Sequence, residues 1–294
     1  MEDAFPKISI VTPSYNQGKF IEETIISVLG QGYSNLEYII IDGGSTDETV
    51  EIIKKYADKL TYWVSEKDRG QSHAINKGFA LATGDIIGWL NSDDMYLPGA
   101  LAHVAAHLNA GAKELCFGNC LHFRQDASAV VSWGSDVVQN AQRYGLENFD
   151  YIIQPSSFWT RTTWEAVGSL SESLTYTFDW EWFLRARQLG VKFLALPKCL
   201  SMYRIHDEHK TGVGGSRRQE EMLGIYRQYS ERYATLYALL REEVANDSSL
   251  RKAVKTTLRF VGRSHDQADV LRIAHYKKFK PYSWSEISNC LAML

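Results

Sequence analysis

The chain has 294 residues, of which 45% are hydrophobic and 23% are charged, a balance typical of a folded globular protein rather than a disordered one. Its net charge of −3 argues against a nucleic-acid-binding protein. The N-terminus lacks a charged-then-apolar signal pattern, and no apolar run approaches the roughly 20 residues that a membrane span needs. We therefore expect a cytoplasmic protein.

Charge is distributed unevenly along the chain. Residues 1–215 carry 18 Lys and Arg against 26 Asp and Glu, whereas residues 216–294 carry 14 against 9. The four cysteines form no C-x-x-C pair, and a chain of this size does not need disulfides, so we expect buried free thiols. They are Cys116, Cys120, Cys199 and Cys290.

Strand and helix patterns alternate through the first half, which is typical of a mostly parallel sheet covered by helices. The predicted strands are 8–11, 36–41, 60–64 and 85–90. The predicted helices are 20–29, one carrying Val50, Ile53 and Tyr56 that Ser45 or Thr46 can cap, and 71–82. All four strands direct the loops that follow them to one edge of the sheet.

The second half is less regular. We predict a helix over 99–108, a strand over 115–118, a helix over 179–189, and two strands, 191–196 and 199–203, separated by Pro197. The region from about Asn119 to Tyr176 shows no clear pattern. The Gly-rich segment 211–215 then marks a domain boundary, and nearly everything beyond it has a helical pattern.

Two adjacent carboxylates, Asp93 and Asp94, follow the apolar run Ile86–Leu90 directly. The carboxyl ends of strands in open α/β sheets are where ligands bind, and paired carboxylates suit a divalent metal. Asp42, in a Gly-Gly turn, and Arg69 also follow strands, and this set fits a metal-bound diphosphate and its nucleoside. The alternative is that the two acids simply begin the next helix.

Four ordered motifs carry a resemblance to the family 2 glycosyltransferases of GT-A fold. They are Thr12-Pro13-Ser14-Tyr15-Asn16, Ile41-Asp42-Gly43-Gly44-Ser45-Thr46-Asp47, Asp68-Arg69-Gly70 with Ala74-x-Asn76-Lys77-Gly78, and Asn91-Ser92-Asp93-Asp94. The likeness is strong over residues 5–100, weaker to about 211 and absent beyond. It implies an α/β fold whose mostly parallel central sheet is flanked by helices, followed by a helical C-terminal extension.

The resemblance also implies a domain division. It assigns 1–215 to the glycosyltransferase domain, with 1–100 as the nucleotide-binding half and 101–215 as the acceptor-binding half, and 216–294 to the extension. The expected activity is metal-dependent, inverting transfer of a sugar from a nucleotide-diphosphate-sugar donor to a saccharide or lipid-linked saccharide acceptor, in surface polysaccharide or glycan biosynthesis. The expected cofactor is Mn²⁺ or Mg²⁺.

Residue roles follow from the same likeness. The first motif, with Thr12 and Pro13, would bind the nucleotide. The ring of Tyr15 would pack on the nucleotide base, Asp42 would accept a hydrogen bond from it, and Arg69 would lie near the nucleotide. Asp93 and Asp94 would contact the ribose and the metal, with Asp94 the preferred metal ligand and Asp93 a further candidate.

Two sites lie further along the chain. The resemblance implies that Asp179 is the general base, with Glu181 as the fallback, although acids are also common at helix N-termini. His206 follows the last predicted strand and would reach the metal or the diphosphate, although a lone His is usually an ordinary surface or core residue.

Trp180 is a candidate for stacking on the acceptor sugar, although an aromatic side chain is by default part of the core.

The C-terminal part is basic and aromatic. Its residues are Arg251, Lys252, Lys255, Arg259, Phe260, Lys277, Lys278, Lys280, Trp284 and Leu291. Solvated helix faces explain most such patterns, and the alternative is peripheral contact with an anionic membrane surface.

Other readings fit less well. The first turn lacks the glycines of a sugar-phosphate nucleotidyltransferase and the G-x-G-x-x-G of a dinucleotide-binding oxidoreductase. A processive polysaccharide synthase would need membrane spans. The remaining alternative is a catalytically inactive carbohydrate- or nucleotide-sugar-binding protein of the same fold.

Overall fold

Four parallel strands form the first half of the central sheet. They are β1 (Ile8–Ser14), β2 (Leu36–Asp42), β3 (Tyr62–Ser65) and β4 (Ile86–Trp89), in the spatial order β3-β2-β1-β4. Every residue of β1 and β4 is buried, as expected for parallel strands that are covered on both faces. The computed structural model describes residues 5–125, 130–207, 210, 215–245 and 267–294.

Helices connect these strands close to where the sequence predicts them. They are α1 (Ile21–Leu29), α2 (Thr49–Lys55) and α3 (Gln71–Leu81). The predicted cap of α2 is wrong, because the helix begins at Thr49 and neither Ser45 nor Thr46 caps it. Instead the Asp47 carboxylate accepts hydrogen bonds from the backbone N–H of Thr49, at 3.1 Å, and from its hydroxyl, at 2.5 Å.

The second half of the sheet mixes directions. It contains β5 (Met95–Tyr96), β6 (Glu114–Gln125), β7 (Val130–Gly134), β8 (Ser157–Thr160) and β9 (Lys192–Arg204). Beyond β4 the order is β8-β6-β9-β5, with β7 paired to β6. Strand β8 is antiparallel to both of its neighbours, β4 and β6, whereas β6 and β9 are parallel.

Two predictions for this half are wrong. Residues 192–204 form one strand instead of two, because the pairing of β9 with β6 shifts register between Gly118 and Asn119 and so accommodates Pro197 in a bulge. The region from Asn119 to Tyr176 is also more ordered than its pattern indicates. It contains the rest of β6, β7, β8, α5 (Val137–Arg143) and α6 (Arg161–Val167). The remaining helices of this half are α4 (Ala100–Ala105) and α7 (Phe178–Gln188).

The chain divides into two compact units, Met1–Tyr144 with Tyr151–Gly214, and Gly145–Asp150 with Gly215–Leu294. The second unit is helical where it is described. Its helices are α8 (Gly215–Tyr229), α9 (Glu231–Ala245), α10 (Gln267–Ala274), α11 (Tyr276–Phe279) and α12 (Trp284–Ala292). Tyr226 packs against Tyr233 and Tyr237, and all three are buried. None of the helices in the described part of the chain is long and apolar enough to cross a membrane.

A buried carboxylate joins several segments of the chain at the edge of the sheet where the parallel strands begin. Glu37, on β2, accepts hydrogen bonds from the Ser9 hydroxyl at 2.5 Å and from the Thr83 hydroxyl at 2.7 Å, and it pairs with Lys7 at 2.8 Å. Burial alone would raise the pKa of Glu37, but these partners outweigh it and lower the pKa from 4.5 to about 2. The ionised form is therefore the one that stabilises the fold.

We expect Glu37→Gln to lower the free energy of unfolding by about 2–3 kcal/mol at neutral pH, because the amide replaces an acceptor with a donor that faces other donors. The folded-state pKa is depressed, so this stabilisation is present above pH 4.5 and is lost as pH falls toward 2. Denaturant unfolding at several pH values measures the difference from wild type. The matched control is Glu51→Gln on the exposed face of α2, and an equal effect of the two variants would contradict the prediction.

Candidate active site

The Asp pair lies in a tight turn at the carboxyl end of β4. The backbone N–H of Asp94 donates to the carbonyl of Asn91 at 3.1 Å, which closes the turn. Helix α4 begins only at Ala100, after the left-handed Gly99, and no side chain caps it. The two acids therefore do not begin the next helix, and the alternative raised by the sequence is excluded.

Asp94 is buried with one carboxylate oxygen to spare. Its side chain is 1% exposed, and Oδ1 accepts a hydrogen bond from the backbone N–H of Arg204 at 3.1 Å. Oδ2 has no hydrogen-bond partner among the described residues. Burial, together with the negative charge of Asp93, raises the pKa of Asp94 well above its usual value. Such an oxygen normally costs stability, so it indicates a position for a ligand that brings positive charge.

The structure brings His206 to the Asp pair. Its Nε2 lies 3.1 Å from Oδ2 of Asp93, although 113 residues separate them in sequence. The imidazole also packs against Phe20, with the ring centroids 4.7 Å apart. Two groups that can bind a metal therefore meet at the end of the sheet.

Arg204 supports this cluster through several contacts, and no role was predicted for it. Its Nε donates to the backbone carbonyl of Asp93 at 3.1 Å, and its guanidinium also pairs with Glu23. The guanidinium lies between two aromatic rings, 4.9 Å from the centroid of Phe20 and 4.7 Å from that of Phe123. Arg204 thus fixes the turn through both its backbone and its side chain. We call residues 91–94 the Asp turn. The sequence shows an Arg two residues before His206, but not that β9 lies beside this turn.

The loop that follows β1 and the loop that follows β2 are hydrogen-bonded to each other. The backbone N–H of Asn16, which has a φ of 52°, donates to the Ser45 hydroxyl at 2.7 Å. In return Oδ1 of Asn16 accepts from the backbone N–H of Thr46 at 2.9 Å. Tyr15, which precedes Asn16 in the chain, is 61% exposed, so its ring is open to a stacking partner.

Asp42 holds its own loop together. Its carboxylate accepts from the backbone N–H of Ser45 at 2.9 Å, from the Ser45 hydroxyl at 2.5 Å and from the Ser65 hydroxyl at 2.6 Å. A nucleotide base would have to share these oxygens. Thr12 and Pro13 are buried on β1, where the Thr12 hydroxyl lies 3.1 Å from that of Tyr38, so both support the loop from the strand.

Arg69 is largely exposed at the edge of the site. Its guanidinium binds Glu172, with Nε at 2.9 Å and the terminal nitrogen at 2.7 Å from Oε2. The guanidinium is paired with a carboxylate in this structure, and a phosphate would have to displace that carboxylate.

Asp179 lies in the first turn of α7, where the helix dipole favours a carboxylate. It is partly exposed. Its neighbour Phe178 packs on Trp89 at the end of β4, with the ring centroids 6.1 Å apart. The start of α7 therefore lies near the Asp turn.

Glu181, the second candidate for the general base, is paired with a neighbouring arginine. Glu181 accepts from Nε of Arg185 at 2.7 Å, one turn along α7. That arginine also donates to the carbonyls of Val167 and Ser169, at 2.7 and 2.8 Å. Glu181 therefore belongs to a structural ion pair.

Trp180 is 1% exposed, so its ring offers no free face to an acceptor sugar in this structure. Its position on α7 turns the side chain into the core, which is the default for a large aromatic residue. The four cysteines are free, and three of them, Cys116, Cys120 and Cys290, are buried.

Comparison with known proteins identifies the family. The family model described as glycosyl transferase family 2 matches residues 9–151. A protein from Rickettsia typhi named as an uncharacterized glycosyltransferase is 30% identical over 225 residues, which are 73% of this chain and 69% of that protein. The chain belongs to glycosyltransferase family 2. This glycosyltransferase spans smaller shares, 61% and 32%, of two further Rickettsia relatives.

Some relatives carry names that specify an activity. This glycosyltransferase is 26% identical to the GalNAc(5)-diNAcBac-PP-undecaprenol β-1,3-glucosyltransferase of Campylobacter jejuni over 72% of its own chain and 69% of that protein. The fold matches that of solved glycosyltransferases. Against a mannosyltransferase from Pyrobaculum calidifontis in complex with GDP-Man and Mn²⁺ the TM-score is 0.58 at 15% identity, covering 99% of this chain and 74% of that one. The GT-A fold expected from the sequence is thereby confirmed.

The donor groups at the Asp turn fit a divalent cation. Oδ2 of Asp94 is buried without a partner, and Asp93 lies against His206. No group of three or more His, Cys, Asp or Glu side chains that could hold a metal occurs within the described ranges of this glycosyltransferase. Mg²⁺ and similar ions usually bind through one or two carboxylates plus the phosphate oxygens of a substrate, so a partial protein set is compatible with them.

Proposed function

We propose that this glycosyltransferase is metal-dependent and inverting, and that it moves a sugar from a nucleotide-diphosphate-sugar to a saccharide acceptor. The observation that carries the proposal is the buried, unpartnered Oδ2 of Asp94 beside the contact between Asp93 and His206. A protein that bound only carbohydrate would gain nothing from a buried carboxylate oxygen that lacks a partner. An inactive nucleotide-sugar-binding protein is distinguished by its lack of turnover.

The Asp turn would stabilise the departing diphosphate. Asp94 and His206 would hold Mn²⁺ or Mg²⁺, with Asp93 contacting the ribose or the same ion. When bound, the ion would neutralise charge on the departing diphosphate. Tyr15 is exposed and suited to stacking on the nucleotide base, while Asp42 and Arg69 would face the nucleoside and the phosphates. The P. calidifontis enzyme, whose structure contains GDP-Man and Mn²⁺, supports this assignment by its shared fold.

The attacking side would depend on Asp179. An acceptor hydroxyl forms the new bond to the anomeric carbon while the bond to the diphosphate oxygen breaks, and the hydroxyl proton passes to the Asp179 carboxylate. A single displacement of this kind inverts the anomeric configuration. A positioned carboxylate base contributes about 10²–10⁴ in rate.

The acceptor would be a saccharide or a lipid-linked saccharide of a surface polysaccharide or glycan. The support is the C. jejuni relative, whose name specifies an undecaprenol-diphosphate-linked acceptor.

The direct test is a panel of UDP-, GDP- and dTDP-sugars incubated with the protein and Mn²⁺, with and without chelator. We expect donor turnover with at least one of them, and a loss of about 10²-fold or more on chelation, because the ion carries much of the leaving-group stabilisation. Release of nucleoside diphosphate measures donor turnover. Binding of a donor without metal-dependent turnover of any would favour the alternative, a catalytically inactive nucleotide-sugar-binding protein.

We also propose peripheral contact of the second unit with an anionic membrane surface, where a lipid-linked acceptor would lie. Its described part exposes Tyr276 and Trp284, at 59% and 41%, together with Lys277 and Lys280. Aromatic and basic side chains of this kind suit the bilayer interface. Of the other residues noted in the sequence, Lys278 pairs with Glu243 and Leu291 is half-buried. The rest, Arg251, Lys252, Lys255, Arg259 and Phe260, lie outside the described residues.

Vesicle sedimentation tests this contact. We expect the protein to pellet with vesicles containing phosphatidylglycerol more than with phosphatidylcholine alone, and the double variant Lys277→Glu/Lys280→Glu to lose most of the difference. Each basic residue near an anionic surface is worth about 1 kcal/mol. Lys54→Glu, at an exposed position on α2, is the matched control. Equal pelleting with both lipid mixtures would remove the proposal.

A further inference from the structure

Three side-chain amides form a continuous hydrogen-bonded chain beside the Asp turn. Lys210 Nζ donates to Oε1 of Gln71 at 2.7 Å, and Nε2 of Gln71 donates to Oδ1 of Asn91 at 2.7 Å. Nδ2 of Asn91 then donates to Oε1 of Gln154 at 3.3 Å. Finally, Nε2 of Gln154 donates to the backbone carbonyl of Trp89 at 2.9 Å. We call Gln71, Asn91 and Gln154 the amide chain.

The two ends fix the orientation of all three amides. An ammonium group only donates hydrogen bonds and a carbonyl oxygen only accepts them. Between Lys210 and the Trp89 carbonyl, therefore, one arrangement alone gives each amide both its donor and its acceptor. Turning any one amide round would set two donors and two acceptors face to face. The amide chain is thus a directed network in which each amide both donates and accepts, of the kind that holds its members in one geometry.

The amide chain joins the elements of the proposed active site. Gln71 is the first residue of α3, Asn91 is the first residue of the turn that holds Asp93 and Asp94, and Gln154 is buried just before β8. At the other end, Nζ of Lys210 lies 5.2 Å from the ring centroid of Phe178. Phe178 immediately precedes Asp179 in the sequence. The amide chain therefore runs from the start of α7, where the proposed general base lies, to the turn that would hold the leaving group.

We propose that Gln71, Asn91 and Gln154 are positioning residues, which set the Asp turn and the Lys210 ammonium in register for sugar transfer. The inference rests on the function proposed above and adds three residues to it. They would act on the rate of the transfer step rather than on the affinity for nucleotide, because the amide chain orders groups that are already present without itself providing a charge.

Two substitutions at one position test the direction of the chain. Gln154→Met removes both hydrogen bonds. Gln154→Glu keeps an acceptor for Asn91, but it can donate to the Trp89 carbonyl only when its carboxyl is protonated. We expect the Met variant to lose about tenfold or more in kcat at all pH values, the size of effect seen when a hydrogen-bond partner behind a metal-binding group is removed. The Glu variant should lose progressively more, relative to wild type, as pH rises from 6 to 8.5.

The measurement is kcat and donor KM of each variant divided by those of wild type across that pH range. Calorimetry with UDP or GDP in Mn²⁺ should give a Kd within about threefold of wild type for both variants. Gln139→Glu, an exposed position on α5, controls for the added charge. Thermal unfolding checks that the variants are folded.

The outcomes separate the two proposals. If wild type is active and the two Gln154 variants keep wild-type kcat, or lose it equally at every pH, the inference is overturned while the proposed function stands. If wild type turns over no donor, the proposed function fails and the inference fails with it. A loss confined to nucleotide affinity would also overturn it, since that would make the amide chain part of the binding site alone.

Discussion

Asp94→Asn should abolish metal-dependent turnover without destabilising the protein. The asparagine keeps an oxygen for the backbone N–H of Arg204, but it replaces the buried, unpartnered Oδ2 with an amide nitrogen, which cannot bind a cation. We expect donor turnover to fall by about 10³-fold, as when a main source of leaving-group stabilisation is removed. The melting temperature without metal should stay the same or rise, because the cost of a buried carboxylate without a partner is exchanged for the smaller cost of a buried neutral amide without one.

The measurements are nucleoside diphosphate release and thermal unfolding with and without Mn²⁺ plus nucleotide. Wild type should be stabilised by that pair and Asp94→Asn should not, because bound ligand stabilises only the form that binds it. Asp85→Asn is the matched control, since Asp85 lies just before the opposite end of β4 and bonds the backbone N–H of Lys7 at 2.9 Å. Full activity in Asp94→Asn would assign the metal to other residues.

Asp179→Asn should separate binding from chemistry. The side chain is partly exposed in the first turn of α7, so its replacement by an isosteric amide should leave nucleotide affinity and stability almost unchanged. Without the carboxylate nothing takes the proton of the acceptor hydroxyl, and we expect transfer to fall by about 10²–10⁴-fold. Product formation with an accepted sugar donor, and calorimetry with the nucleoside diphosphate, measure the two quantities.

Glu181→Gln is the control for that variant. Glu181 pairs with Arg185, so the amide should lower the melting temperature by a few degrees and leave transfer within about threefold of wild type. If Asp179→Asn transfers sugar at the wild-type rate and Glu181→Gln does not, the role of base moves to Glu181.

Much of the first half of the fold could be predicted, because parallel strands that are buried on both faces leave a strong signal. The apolar runs of β1, β2 and β4 end in polar loops, and loops that follow parallel strands must meet at one edge. The same reasoning brought Asp42, Arg69 and the Asp pair to that edge. Local sequence is enough where each strand and helix follows the next one in space.

The second half could not be predicted in the same way, because its contacts join residues far apart in sequence. Strand β8 is only four residues long and is placed between β4 and β6 by its partners rather than by its own pattern. The support that Arg204 gives to the Asp turn depends on the placement of β9, and the burial of Trp180 depends on which face of α7 meets the core. None of these contacts can be predicted from a short stretch of the sequence.

The mutual hydrogen bonds between Asn16 and the loop of Ser45 and Thr46 affect how a donor is captured. These loops are already joined before any ligand arrives, so most of their conformational entropy is lost when the chain folds and not when the nucleotide binds. The base would then meet two loops that are already held in place, with the exposed ring of Tyr15 next to them. Selection among nucleobases at such loops would depend on shape and on hydrogen bonds left unmade by a wrong base, because the loops could adapt little to it.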